Sequence, residues 1–200
     1  MNEQLGLLAR FNEKVTRLES TRLARWLDTT IPSVSARMES VQTNSAGDMT
    51  FDMIGEVHAS LDEHNQDDID AFVLTYRMFI QKRDALSIRA IAKVYDAEWM
   101  PSEARERFSE ARRAVDDWLG SPTSLLDGKH VVTRRELVDV ILYGGLAHTE
   151  PAKIPTFNAW MRTGVAGFFW AEFLVTLREM LRLLRFLREL NQAVVVNCAT

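Results

Sequence analysis

The sequence is poor in cysteine: among 200 residues its one thiol is Cys198, close to the C-terminal Thr200. A lone cysteine excludes an internal disulfide framework and a thiolate metal cluster. So few thiols are typical of a reducing compartment, where disulfides do not persist. We therefore predict a cytoplasmic protein whose stability comes from a hydrophobic core, which a chain of this length is able to bury.

The sequence also has no excess of positive charge and no long apolar run. Its net charge is −4, so it lacks the general basic field that holds a polyanion. The most apolar stretch, residues 164–177, is interrupted by Glu172 and falls short of the roughly 20 apolar residues that span a bilayer. Residues 1–8 lack the basic and apolar regions of a secretion signal. These absences disfavour generic nucleic-acid binding and predict no transmembrane segment.

Familiar catalytic and cofactor motifs are missing as well. The sequence contains no G-x-S-x-G, no H-E-x-x-H, no P-loop and no G-x-G-x-x-G. No cofactor is therefore predicted. Cysteine catalysis is disfavoured too, because the only thiol lies in the terminal tail.

What the sequence does contain is helical periodicity. Apolar residues recur from Leu5 to Leu18 at steps of three and four, which predicts an amphipathic helix over residues 3–28. Residues 33–50 are rich in Ser, Thr, Asn and Gly, as expected of a linker. We therefore predict three regions: an N-terminal amphipathic helix over 1–32, a flexible linker or loop over 33–50, and a helical bundle domain over 51–200.

Helix-capping signals predict further helices in the rest of the chain. Ser87 is placed to cap a helix that runs from Ile88 to about Trp99. Pro101 then starts another helix, which stops at Gly120. The predicted buried side chains of this second helix are Phe108, Ala111, Val115 and Trp118. The predicted fold is all-α, a helical bundle of about six to seven helices with a long amphipathic C-terminal helix.

The C-terminal helix has the most regular pattern of the chain. Its apolar side chains step by three and four residues from Trp170 to Val194, which is the a/d register of a coiled-coil seam. Such a seam is filled either inside the chain's own bundle or against a second copy, with Asn191 setting the register in the second case. The interface candidates for that second case are Trp170, Phe173, Leu177, Met180, Leu184, Leu187 and Asn191.

Charge is distributed unevenly along the chain. No Lys or Arg occurs between Met38 and Tyr76, where nine acidic residues lie. The rest of the chain therefore contains all 24 Lys and Arg side chains and 19 acidic ones, which gives it a net charge of +5. Such asymmetry indicates an acidic surface that lies against a basic one, within the chain or on a partner, although a solvated acidic face has the same composition.

A histidine and a carboxylate within this acidic region have the spacing of metal ligands. His58 and Asp62 would share one helix face and could bind zinc, manganese or iron. A metal site needs about three protein ligands, whereas this spacing supplies two. We therefore predict no metal site and interpret His58 as an ordinary surface or partly buried residue.

A second cluster lies at the segment Tyr143–Lys153. Its paired glycines let the backbone turn and expose amide groups that could bind an anion, beside a histidine able to act as an acid or a base. The same glycines could instead serve close helix packing or a C-cap. The candidate ligand-binding residues are Tyr143, Gly144, Gly145, His148 and Lys153.

Residues 86–113 have the pattern of two helices with arginines on the second, as in a helix-turn-helix. The connection Asp96–Pro101 is a poor turn for that motif. Acidic neighbours also offset the arginines of the second helix, which are Arg105, Arg107, Arg112 and Arg113.

These observations predict a non-enzymatic cytoplasmic helical protein with an interaction or regulatory role, acting through self-association or partner binding. The first alternative is a small enzyme or ligand-binding protein for an anionic substrate at Tyr143–Lys153. The second alternative is helix-turn-helix-like DNA binding by residues 86–113.

Overall fold

The computed structural model describes residues 1–22, 24–29, 85–122, 133–135 and 166–199, with side chains described from 175 to 198 in the last range. Four helices have defined bounds: α1 (Asn2–Glu19), α2 (Ile88–Tyr95), α3 (Ser102–Gly120) and α4 (Ala166–Ala199). Residues 24–29 form a further helical segment, and the described residues contain no β-strand. The fold is therefore all-α, as predicted. The described ranges do not confirm the predicted number of six to seven helices.

The first helix is shorter than the sequence predicts. A single helix over residues 3–28 is wrong, because α1 ends at Glu19. A turn at Ser20 and Thr21 separates it from the helical segment 24–29. The apolar periodicity runs on through this break, which is why the pattern alone does not reveal it.

Two hydroxyl side chains account for the break. The Thr21 hydroxyl donates to the carbonyl of Leu18 at 2.7 Å and accepts a hydrogen bond from the amide of Ala24 at 3.1 Å. The Ser20 hydroxyl donates to the carbonyl of Arg17 at 2.6 Å. Short hydroxyl side chains compete with the helical backbone for its hydrogen bonds. Thr21 thereby ends one helix and caps the start of the next.

The second helix begins where the sequence predicts and ends earlier. Ser87 has extended backbone, and its hydroxyl accepts a hydrogen bond from an amide of the first turn at 3.1 Å. The helix ends at Tyr95 rather than near Trp99. The amide of Ala97 donates to the carbonyl of Val94, three residues earlier, at 3.2 Å. This tighter bonding pattern is typical of a last turn that leaves the α-helix.

The third helix buries less of its surface than predicted. Of its four predicted core residues, Phe108 is buried, whereas Ala111, Val115 and Trp118 are only half-buried. The fully buried residues of the helix are Ala104 and Phe108. The core therefore reaches only the N-terminal half of α3, and the C-terminal half is largely exposed.

The chain folds back beside the end of α3. Pro122 and Thr133 form an isolated antiparallel bridge, which brings the two ends of the intervening connection together. Helical backbone then begins at Arg134. Thr133 is the first residue of the sequence T-R-R-E, which has the capping-box pattern typical of a helix start.

The longest helix, α4, has 34 residues. Its predicted seam side chains from Leu177 to Val194 are buried, whereas Arg182 and Glu189 are exposed. Such charges interrupt the apolar run of the helix. None of the described helices is both long and apolar enough to cross a membrane.

The chain divides into two compact units. Unit 1 comprises Met1–Ala24, Asp67–Asp117 and Met180–Thr200, and unit 2 comprises Arg25–Gln66 and Trp118–Glu179. The boundaries predicted at residues 32 and 50 lie outside the described residues, so they stay predictions.

The core of unit 1 is formed by residues from all four helices. Burial of an aliphatic or aromatic side chain contributes roughly 1.5 to 3 kcal/mol, so this cluster is the main source of stability in the unit. Its members are Leu8, Phe11, Val15, Ile91, Ala92, Val94, Tyr95, Met100, Ala104, Phe108, Leu184, Leu187, Leu190 and Val194.

Candidate functional site

Several predicted site residues lie outside the described parts of the chain. They are the anion-binding candidates Tyr143, Gly144, Gly145, His148 and Lys153, the pair His58 and Asp62, and the acidic segment, residues 38–76. What the sequence predicts for them stays a prediction. Among the residues that are described, no group of three or more His, Cys, Asp or Glu side chains is arranged to hold a metal ion.

The predicted interface residues lie on α4, and the chain buries those whose side chains are described. The exposed fractions are 3% for Leu177, 2% for Met180, 0% for Leu184, 2% for Leu187 and 0% for Asn191. Trp170 and Phe173 belong to the same helix, in the part described by its backbone alone. The seam residues from Leu177 to Asn191 are therefore buried within a single chain, and their role as an interface stays a prediction.

A buried polar network crosses the core of unit 1. The Tyr95 hydroxyl donates to Oδ1 of Asn191 at 2.7 Å, and Nδ2 of Asn191 donates to Oδ1 of Asn12 at 3.4 Å. Tyr95 is 1% exposed and Asn191 is fully buried. A buried polar group is tolerated only when it is hydrogen-bonded, so these contacts specify how α2, α4 and α1 meet.

The environment of Tyr95 keeps its phenol neutral. Its ring stacks on Phe108 with centroids 4.3 Å apart and an interplanar angle of 9°. Burial raises the pKa of the Tyr95 hydroxyl far above its ordinary value, and the nearby Arg107 opposes that rise only in part. A tyrosine with such a raised pKa is a hydrogen-bond donor and a poor general base. The described contacts of Tyr95 therefore join α2 to α3 and α4.

An ion cluster joins α1 to α4. The Glu19 carboxylate accepts a hydrogen bond from Nε of Arg185 at 2.7 Å, and its other oxygen pairs with Nη1 of Arg188. The three side chains are 16 to 26% exposed. Glu19 lies further along α1 than Asn12, whereas its arginine partners precede Asn191 on α4. The two helices therefore run antiparallel.

The link between α2 and α3 is held against the start of α1. The Trp99 indole donates from Nε1 to Oε1 of Gln4 at 2.5 Å, and Met100 is 2% exposed within the core. The Arg107 guanidinium lies 5.6 Å from the centroid of the Phe186 ring, a cation–π distance. Trp99 and Met100 of this link thus contact other residues of unit 1.

In unit 2, one arginine organises the end of α3. The Arg134 guanidinium lies 5.3 Å from the centroid of the Trp118 ring, and its Nη1 donates to the Ser121 hydroxyl. The backbone amide of Arg134 also donates to the carbonyl of Ser121 at 3.2 Å. Arg134 therefore covers an indole ring and adds two hydrogen bonds beside the bridge described above.

The two helices of the helix-turn-helix alternative are joined by an irregular connection, residues 96–101. That connection is longer than the three- to four-residue turn of the motif. On α3 the four arginines are exposed, but so are its acidic residues. The arginine and acidic side chains concerned are Arg105, Arg107, Arg112, Arg113, Glu103, Glu106, Glu110, Asp116 and Asp117.

Comparison with known proteins gives no relative: no family model, no curated protein and no solved structure matches the chain. No relative therefore assigns a role to any of the described residues. Within unit 1, the hydrogen bonds of Asn191 and the ion pairs of Glu19 join helices to one another, as in a framework.

The sequence pattern did not single out two of these framework residues, Asn12 and Glu19. Asn12 and Glu19 lie on α1 beside its apolar stripe, where the pattern predicts that a polar residue faces solvent. The sequence predicts Asn191 as a residue that sets a coiled-coil register, and its described partners are Tyr95 and Asn12 of the same chain. A polar residue at an apolar repeat position was the available signal, but local periodicity carries no information on a partner far away in the sequence.

Proposed function

We propose that the protein is a non-enzymatic cytoplasmic interaction protein, in which the described helices of unit 1 are a framework and the acidic segment binds a basic surface of a partner or of a second copy. The observation that carries the proposal is the burial of the α4 seam. Leu184 and Asn191 are fully buried by the chain itself, so association through the seam requires the core to open. A binding role then falls to another surface.

Charge supports the acidic segment as that surface. The segment contains nine carboxylates and no Lys or Arg, and the remainder of the chain carries a net charge of +5. Electrostatic complementarity of this kind favours association with a basic surface and weakens as salt increases. A second copy offers such a surface, as does a basic partner protein.

The experiment compares two variants of the full chain with equal charge change. The first carries Asp62→Asn, Glu63→Gln, Asp67→Asn and Asp68→Asn in the acidic segment. The matched control carries Glu103→Gln, Glu106→Gln, Glu110→Gln and Asp117→Asn on the exposed face of α3. Native mass spectrometry and sedimentation velocity at low and high ionic strength report the mass of each protein as purified.

The wild type and the α3 control are expected to show a complex at low ionic strength that dissociates at high ionic strength. The acidic-segment variant is expected to have the mass of one chain in both conditions. A single-chain mass for the wild type in every condition contradicts the proposal, and so does a complex that survives neutralisation of the acidic segment.

The anionic-ligand alternative at Tyr143–Lys153 keeps a separate test. It requires His148→Ala to weaken binding of a phosphate or carboxylate ligand that the wild type binds. The DNA-binding alternative requires a mobility shift at low salt. A native mass spectrum that shows the added mass of a bound ligand, which disappears on denaturation, would favour the anionic-ligand alternative over the interaction role.

A further inference from the structure

We draw no further inference here: the strongest candidate, the exposed charged surface of α3 between Glu103 and Asp117, carries nothing because its acidic and basic side chains alternate at spacings that neutralise one another along the helix and nothing in the structure shows what covers it.

Discussion

Tyr95 and Asn191 lie 96 residues apart in the sequence and form one buried hydrogen bond, with the phenol oxygen 2.7 Å from the amide oxygen. The bond joins α2 to α4, and the amide nitrogen of Asn191 extends it to Asn12 on α1. These two hydrogen bonds thus join three helices that also contribute to the hydrophobic core. Such a contact disfavours a shift of α4 along α1 or α2, because any shift leaves a polar group buried without a partner.

Replacing Asn191 tests this contact directly. Asn191→Ala leaves the Tyr95 hydroxyl buried without its acceptor, and we expect the free energy of unfolding to fall by about 1 to 3 kcal/mol. Urea denaturation followed by circular dichroism measures the change. The neighbouring Gln192 is exposed, so Gln192→Ala is the control and should change stability by less than about half a kcal/mol.

A double-mutant cycle separates the hydrogen bond from the packing of the two side chains. Tyr95→Phe removes the donor, and its cost should be smaller in the Asn191→Ala background than in the wild type. Additive effects of the two substitutions would show that the bond does not contribute to stability.

The raised pKa of Tyr95 predicts a loss of stability in alkali. Burial favours the neutral phenol in the folded state, whereas the unfolded chain ionises it at its ordinary pKa of about 10. The contribution is therefore fully present below that pH and is lost as the pH rises above it. Unfolding free energies at pH values from about 8 to 11 measure this dependence.

The comparison is with Tyr95→Phe, which has no group to ionise at this position. The two proteins differ in one ionisable group, so the difference in slope belongs to Tyr95. We expect the wild type to lose stability with pH more steeply than the variant. Parallel slopes would indicate that the phenol reaches solvent in the folded state.

The ion cluster of Glu19 predicts an unequal effect of two similar substitutions. Glu19 holds two arginines at partly buried positions, so Glu19→Gln should lower the unfolding free energy by about 1 to 3 kcal/mol. Glu13 pairs with Arg17 at the helix surface, where both side chains are at least 60% exposed. Glu13→Gln should therefore cost at most about 1 kcal/mol and lose that effect in salt. Thermal unfolding at two ionic strengths distinguishes the two, and equal costs would contradict the assignment of Glu19 as an interhelical contact.

The all-α class and the buried face of α4 were predictable because both follow from local periodicity. A step of three and four residues places Leu184, Leu187 and Val194 on one face whatever that face contacts. Periodicity does not state whether the face meets the same chain or a second copy. That choice depends on contacts between segments that are distant in the sequence.

Helix ends were less predictable than helix faces. Ser87 caps α2 as predicted because a cap is a local hydrogen bond between residues close in sequence. The break at Thr21 is equally local, but the apolar repeat continues across it and hides the cap that the Thr21 hydroxyl forms. The early end of α2 has a tertiary cause, since Met100 turns into the core and Trp99 bonds to Gln4.

The contribution of the α4 seam to the core is tested by Leu184→Ala. Leu184 is fully buried, so its truncation leaves a cavity and should lower the unfolding free energy by about 2 to 5 kcal/mol. Val196, which lies further along the same helix, is 65% exposed, and Val196→Ala should change stability by less than about half a kcal/mol.

Denaturant unfolding at several protein concentrations also separates the two possible roles of the seam. A core confined to one chain gives a midpoint independent of concentration, whereas a seam shared between two copies gives a midpoint that rises with concentration.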